Sequence, residues 1–128
     1  PDERGEGSGL GFNANYVVAE NADGPVYRRS LVPALRRVAR FRPRWLVVAL
    51  GLDTARGDPT GTFRLAARDL REHGRRIGSR GLPTLVVQEG GYRTRSLGAN
   101  ARAFFEGLAA GTAARRKSAA LDTAGGSQ

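Results

Sequence analysis

Asp53 lies in the segment Gly51-Leu52-Asp53-Thr54-Ala55-Arg56-Gly57-Asp58-Pro59, and Tyr92 closes the segment Glu89-Gly90-Gly91-Tyr92. Each segment follows a short apolar run that reads as a buried strand, Trp45 to Leu50 and Thr84 to Val87. The residues between them have helical periodicity. A strand, a crossover helix and a second strand make parallel neighbours joined right-handedly. Both loops then leave the carboxyl edge of one sheet, where open α/β sheets bind ligands. Asp53 and Tyr92 are therefore expected to face one crevice. A carboxylate there suits a metal ion, and a phenol can donate a hydrogen bond to a developing oxyanion.

Each of these residues also has a plainer reading. An aspartate after a strand can simply cap a turn. A tyrosine at a strand end can be a packed aromatic. Gly90 and Gly91 favour the functional reading of Tyr92, because paired glycines permit positive φ and close approach of the backbone to a ligand. Asp58-Pro59 reads as structural, an aspartate fixing a turn whose proline presets the backbone. His73, the single histidine, lies between arginines on a helix and reads as a core or surface residue. The glycines at 5, 7, 9 and 11 superficially look like a dinucleotide loop, but no strand precedes them and no helix follows. Ser8 has no histidine or other base near it in sequence, so a serine hydrolase is unsupported.

The elements that must position Asp53 and Tyr92 follow from the pattern. Residues 1–11 are glycine-rich and irregular, and Phe12 to Val18 alternates as an extended segment would. Val26 to Arg40 reads as a helix with Tyr27, Leu31, Leu35 and Val38 on one stripe. Pro33 inside it is expected to kink or split it. Phe63 to Arg80 reads as the crossover helix, with Leu70, His73, Gly74 and Ile77 on one face. Thr94 to Ala109 reads as the last helix, with Gly111 as its stop. Thr112 to Gln128 is small, polar and aperiodic, which suggests a disordered tail. The strands are apolar almost throughout, which implies helices on both faces of the sheet.

At 128 residues the chain suits one domain, and its first residue is proline, not methionine. It is expected to be a piece of something longer. It has no cysteine, hence no disulfide framework, thiolate zinc site or cysteine nucleophile. That fits the cytoplasm, its expected location. No run is long enough to span a bilayer. The net charge is +9, and all but one of the 21 basic residues are arginine. They are spread over every helix without interleaved aromatics, so no specific nucleic-acid partner is expected.

Together the segments resemble the C-terminal part of the histone deacetylase and acetylpolyamine amidohydrolase superfamily. The resemblance runs from about Gly5 to Gly107. It is carried by G-L-D-T-A-R-G-D-P (51–59), by Phe63 and by E-G-G-Y (89–92), in matching order and spacing. Gly5-Glu6-Gly7-Ser8-Gly9-Leu10-Gly11-Phe12-Asn13-Ala14-Asn15-Tyr16 resembles the acetylpolyamine amidohydrolase branch more than the eukaryotic histone deacetylases.

The resemblance implies the C-terminal portion of an arginase/deacetylase-like, three-layer αβα parallel-sheet fold, incomplete here. Residues 1–111 would form part of a deacetylase domain and 112–128 its tail. It also implies a catalytic Zn²⁺ with Asp53 as one ligand, Tyr92 as the oxyanion-stabilising group, and Gly90 and Gly91 as the substrate loop. The substrate would be an acetylated amine, acetylpolyamine or acetyl-lysine-like, and the complete protein a homodimer. The family's histidine pair and Asp-x-His zinc motif lie upstream and do not occur in this sequence. The chain alone is therefore expected to be inactive. A rival reading is a non-enzymatic remnant that binds polyanions weakly through arginine.

Overall fold

The computed structural model describes residues 2–125; Pro1 and residues 126–128 of the expected tail lie outside them. Two strands, β1 (Leu46–Leu50) and β2 (Thr84–Gln88), pair in parallel from Leu46↔Thr84 to Leu50↔Gln88. Three helices accompany them: α1 (Gly24–Phe41), α2 (Ala67–Gly78) and α3 (Thr94–Gly125). The order β1, α2, β2, α3 is the crossover unit expected, and it puts both candidate loops at the carboxyl edge of the pair. None of the described helices is long and apolar enough to cross a membrane.

Local chemistry sets the helix boundaries. Asp23 caps α1, accepting a hydrogen bond from the Val26 N–H at 3.1 Å, with Pro25 in the first turn. Pro33 does not split α1, which runs as one element to a left-handed residue at Arg42 (φ 51°). Pro33 itself is exposed. α2 begins at Ala67 and not at Phe63, because Phe63 to Ala66 stays extended. Leu65 is buried through a parallel bridge to Ala55, and the Arg56 N–H reaches its carbonyl at 2.9 Å. The Asp69 carboxylate then accepts from the Ala66 N–H at 3.0 Å and starts the helix. Phe12 to Val18 pairs with nothing as a strand, so the sheet of the described residues has two strands.

The core lies on one face of the sheet. Leu35, Leu50, Leu52, Leu65, Leu70, Ile77 and Phe104 form it, with Leu46, Val48 and Val86 leaning in from the strands. The alternate strand residues point the other way. Val47 and Leu85 are 65% and 58% exposed, and Trp45 just before β1 is 69% exposed. The expected helices on both faces are thus present on one face only among the described residues. Two of the three expected layers are here.

α2 and α3 meet along four glycines. A methyl group on Gly74 would fall on the Phe104 carbonyl, and one on Gly78 on the Leu108 carbonyl. Methyls on Gly107 and Gly111 would strike the carbonyls of Arg71 and Arg75. The two backbones therefore touch directly. This corrects the reading of Gly111 as a stop: its missing side chain serves helix packing, and its backbone stays helical. It also corrects the expected tail, because Thr112–Gly125 continues α3. Ala113, Ala114, Ala119 and Ala120 favour that continuation, and the Thr112 hydroxyl donates to the Leu108 carbonyl at 2.9 Å.

Candidate functional site

Asp53 sits in a single 3-10 turn, Leu52–Thr54, immediately after β1, and is half-buried. Gly90 lies directly against it: a methyl group there would fall on the Asp53 carboxylate, within 2.7 Å of Cγ. The two expected loops are thus side by side. Backbone bonds hold them so. The Glu89 N–H donates to the Leu50 carbonyl at 3.0 Å, extending the ladder by one rung. The Leu52 N–H donates to the Gly90 carbonyl at 2.9 Å. Gly91 has φ +137°, and a side chain there would also strike Leu52 and Leu97. Both observations require glycine at that position.

Asp58 has a larger part than the turn residue expected. It fixes its own turn, with Oδ1 accepting from the Thr60 N–H at 3.0 Å and the Thr60 hydroxyl at 2.9 Å. Its Oδ2 reaches across to the second loop and accepts from the N–H groups of Tyr92 at 2.7 Å and Arg93 at 3.0 Å. Burial alone would push this carboxyl up, but these donors outweigh it and hold it at about 2. Arg93 adds a return stitch, its guanidinium donating to the Arg56 carbonyl at 2.7 Å. Tyr92 therefore has a clamped backbone, and the residue is 58% exposed. The signal for this clamp was in the sequence, as an acidic residue five positions after Asp53. Only the fold shows that it spans 34 residues.

Three aromatic rings lie beneath the Asp53 loop. Tyr27 of α1 stacks on His73 of α2 (centroids 5.0 Å apart) and meets Phe63 edge-on at 5.6 Å. Burial pushes the Tyr27 phenol up, and the negative charge of Asp53 adds to the effect. The sequence pattern placed Tyr27 on an apolar stripe, which is correct, and did not show its nearness to Asp53. His73 is a core residue, one of the two readings left open for it, and 5% exposed. Burial pushes its imidazole down to about 4, against the opposing pull of Asp69. His73 Nε2 has no hydrogen-bond partner among the described residues. It lines a cavity of about 240 Å³ together with Tyr27, Gly51 and Thr54.

The histone deacetylase domain profile matches residues 1–108. The chain belongs to the histone deacetylase family. Acetylpolyamine amidohydrolase 1 of Pseudomonas aeruginosa is 44% identical over 100 residues, 78% of this chain and 29% of that protein. The crystal structure of acetylpolyamine aminohydrolase from Burkholderia pseudomallei has a TM-score of 0.82 at 42% identity, covering 86% of this chain and 32% of that one. The structure of the histone deacetylase Clr3 has a TM-score of 0.74 at 26% identity, covering 82% and 18%. This family member thus spans about a third or less of the length of these relatives.

The donor set of this deacetylase-family chain does not make a zinc site by itself. A catalytic zinc takes three protein ligands and keeps a further position open. Asp53 offers one carboxylate. The lone pairs of Asp58 are already engaged by four donors. His73 is stacked in the core on Tyr27. Among the described residues, no three His, Cys, Asp or Glu side chains converge as a metal site would require.

Proposed function

We propose that residues 1–111 are the C-terminal part of a deacetylase domain. The complete protein, in this reading, hydrolyses an acetylated amine, acetylpolyamine or acetyl-lysine-like, with water to acetate and free amine. It works in the cytoplasm as a homodimer. Asp53 contributes one ligand to a Zn²⁺ whose other protein ligands, with the general base, come from outside these residues. Tyr92 donates its phenolic hydrogen to the oxygen that gains charge in the transition state, while Gly90 and Gly91 let the substrate approach the backbone. The chain alone is inactive.

The observation that carries this reading is the direct contact between Asp53 and the Gly90-Gly91-Tyr92 loop, locked by Asp58. A carboxylate without an ion-pair partner among the described residues, a glycine cradle and an exposed phenol on a hydrogen-bonded backbone suit electrophilic catalysis better than a purely structural turn. Support also comes from the amidohydrolase names of the relatives. The bare sheet face of Val47 and Leu85 is where the remaining two-thirds of such a domain would pack.

The test uses the complete protein. Tyr92→Phe is expected to keep its metal and lower kcat by about 10²–10³-fold, the usual effect of removing one oxyanion donor. Asp53→Ala is expected to lose metal, read by elemental analysis, and activity with it. Near-normal kcat in Tyr92→Phe together with full zinc in Asp53→Ala would show that neither loop belongs to the active site.

A further inference from the structure

Two adjoining clefts open at the end of the molecule opposite Asp53 and Tyr92, where α1 and α2 finish and the strands begin. One, of about 430 Å³, is lined by Arg42, Arg80 and Arg115. The other, of about 300 Å³, is lined by Arg36, Arg75, Arg76 and Arg80. They share Ser79 and Arg80, and no carboxylate lines either one. Arg115 reaches in from α3 with its stem across Gly81, where φ is +70° and a side chain would collide with it. Six arginines from three helices and their flanking loops thus line two clefts, three in one and four in the other, with Arg80 common to both.

Their charge is poorly compensated. Glu72, the nearest ion-pair partner, is shared by two of them: Arg75 donates to it at 2.7 and 2.9 Å, and Arg76 Nε lies 2.7 Å away. Arg76 Nε has no hydrogen bond of good geometry even so. Arg36, Arg42, Arg80 and Arg115 have no acidic partner among the described residues. The C-termini of α1 and α2 contribute about half a negative charge each. One or two arginines suffice to offset them, so a large positive excess remains.

We propose that this double cleft binds a compact phosphate anion, a diphosphate or triphosphate group, free or carried on a nucleotide. Guanidinium forks match phosphate oxygens in bidentate pairs, and several forks around one pocket suit a ligand with several charged oxygens. The volume fits a small ligand. The lining has no aromatic ring on which bases could stack, which argues against single-stranded nucleic acid. The site lies remote from Asp53 and is independent of the deacetylase reading.

Titration calorimetry of the full chain tests it, with pyrophosphate, inorganic phosphate, ATP and adenosine as probes in about 150 mM salt. Saturable binding of pyrophosphate and ATP is expected, with none of adenosine. Arg36→Gln/Arg80→Gln is expected to weaken pyrophosphate binding by about tenfold or more. The charge-matched pair Arg29→Gln/Arg68→Gln, away from the cleft, should change it by less than about twofold. All four residues are exposed, so the folds should survive, as circular dichroism would verify. If the first pair nonetheless fails to fold, Arg36→Lys/Arg80→Lys keeps the charge and removes the forks. Unchanged affinity in that variant would overturn the proposal. So would equal loss in the two glutamine pairs, non-saturable binding, binding of adenosine alone, or duplex DNA competing equally in both pairs.

Discussion

A single side chain, Asp58, ties the two candidate loops into one body, and its titration makes the tie measurable. Its folded value of about 2 lies below the ordinary 3.8 because four donors outweigh the effect of burial. Its contribution to stability is therefore complete above about pH 4 and is lost as pH falls toward 2. Glu72, held at about 2 mainly by its hydrogen bond from Arg75, titrates over the same range. Denaturant midpoints of the dilute chain should fall between pH 5 and pH 2. The Asp58→Asn variant should be less stable at pH 7 and show a flatter decline on acidification. Glu72→Gln, which leaves the loops alone, serves as the comparison. If Asp58→Asn keeps the parental slope, the carboxylate is not the clamp described. In the proposed deacetylase the same variant should also cost turnover while leaving Asp53 in place, because an amide has one acceptor oxygen and cannot serve both Thr60 and the backbone N–H groups of Tyr92 and Arg93.

The elements of this fold were legible where period and position agreed. β1, β2, the crossover order and the buried face of α2 all followed from apolar runs and spacing. Much of what was illegible along α3 had one physical source: glycine. In sequence, glycine reads as a stop or a loop. Along the α2–α3 seam it is the residue that lets two helix backbones touch, so Gly111 looked like an end and the following residues like a tail. Two glycines four apart on each helix, Gly74 with Gly78 and Gly107 with Gly111, were the available signal. Glycines of one helix should accordingly respond in opposite directions. Gly98 of α3 has open space where a methyl would go. Gly98→Ala should stabilise by up to about 1 kcal/mol through helix propensity. Gly107→Ala puts a methyl on the Arg71 carbonyl and should destabilise by about 1–3 kcal/mol through overpacking. Thermal or urea melts of the two variants compare them, and a stabilised Gly107→Ala would refute the seam.

At the scale of the whole molecule the dominant fact is an uncovered sheet. Trp45, Val47, Leu85 and Val87 present an apolar face between exposed strand edges. Such a patch promotes association and dye binding. The chain is expected to bind ANS and to self-associate with rising concentration, by fluorescence and sedimentation. Val47→Thr/Leu85→Thr keeps β-propensity while making the face polar, so both signals should drop while the melting temperature holds. Undiminished ANS binding in that variant would place the exposed surface elsewhere. The sequence could not show this asymmetry. An apolar strand reads the same whether one or both of its faces are covered, and among the described residues nothing covers the second face.

The glycine seam also bears on how tolerance to substitution would be distributed along this chain. In a saturation library selected for the proposed deacetylase activity, Gly74, Gly78, Gly107 and Gly111 should score as severely as Asp53 or Gly91. Yet all four lie on α2 and α3, packed against one another's backbone and away from both loops. A functional screen alone would therefore outline a false second site between two helices. Repeating the selection in a stabilised background separates the classes: seam positions regain small residues such as alanine, while Asp53 stays closed to every replacement.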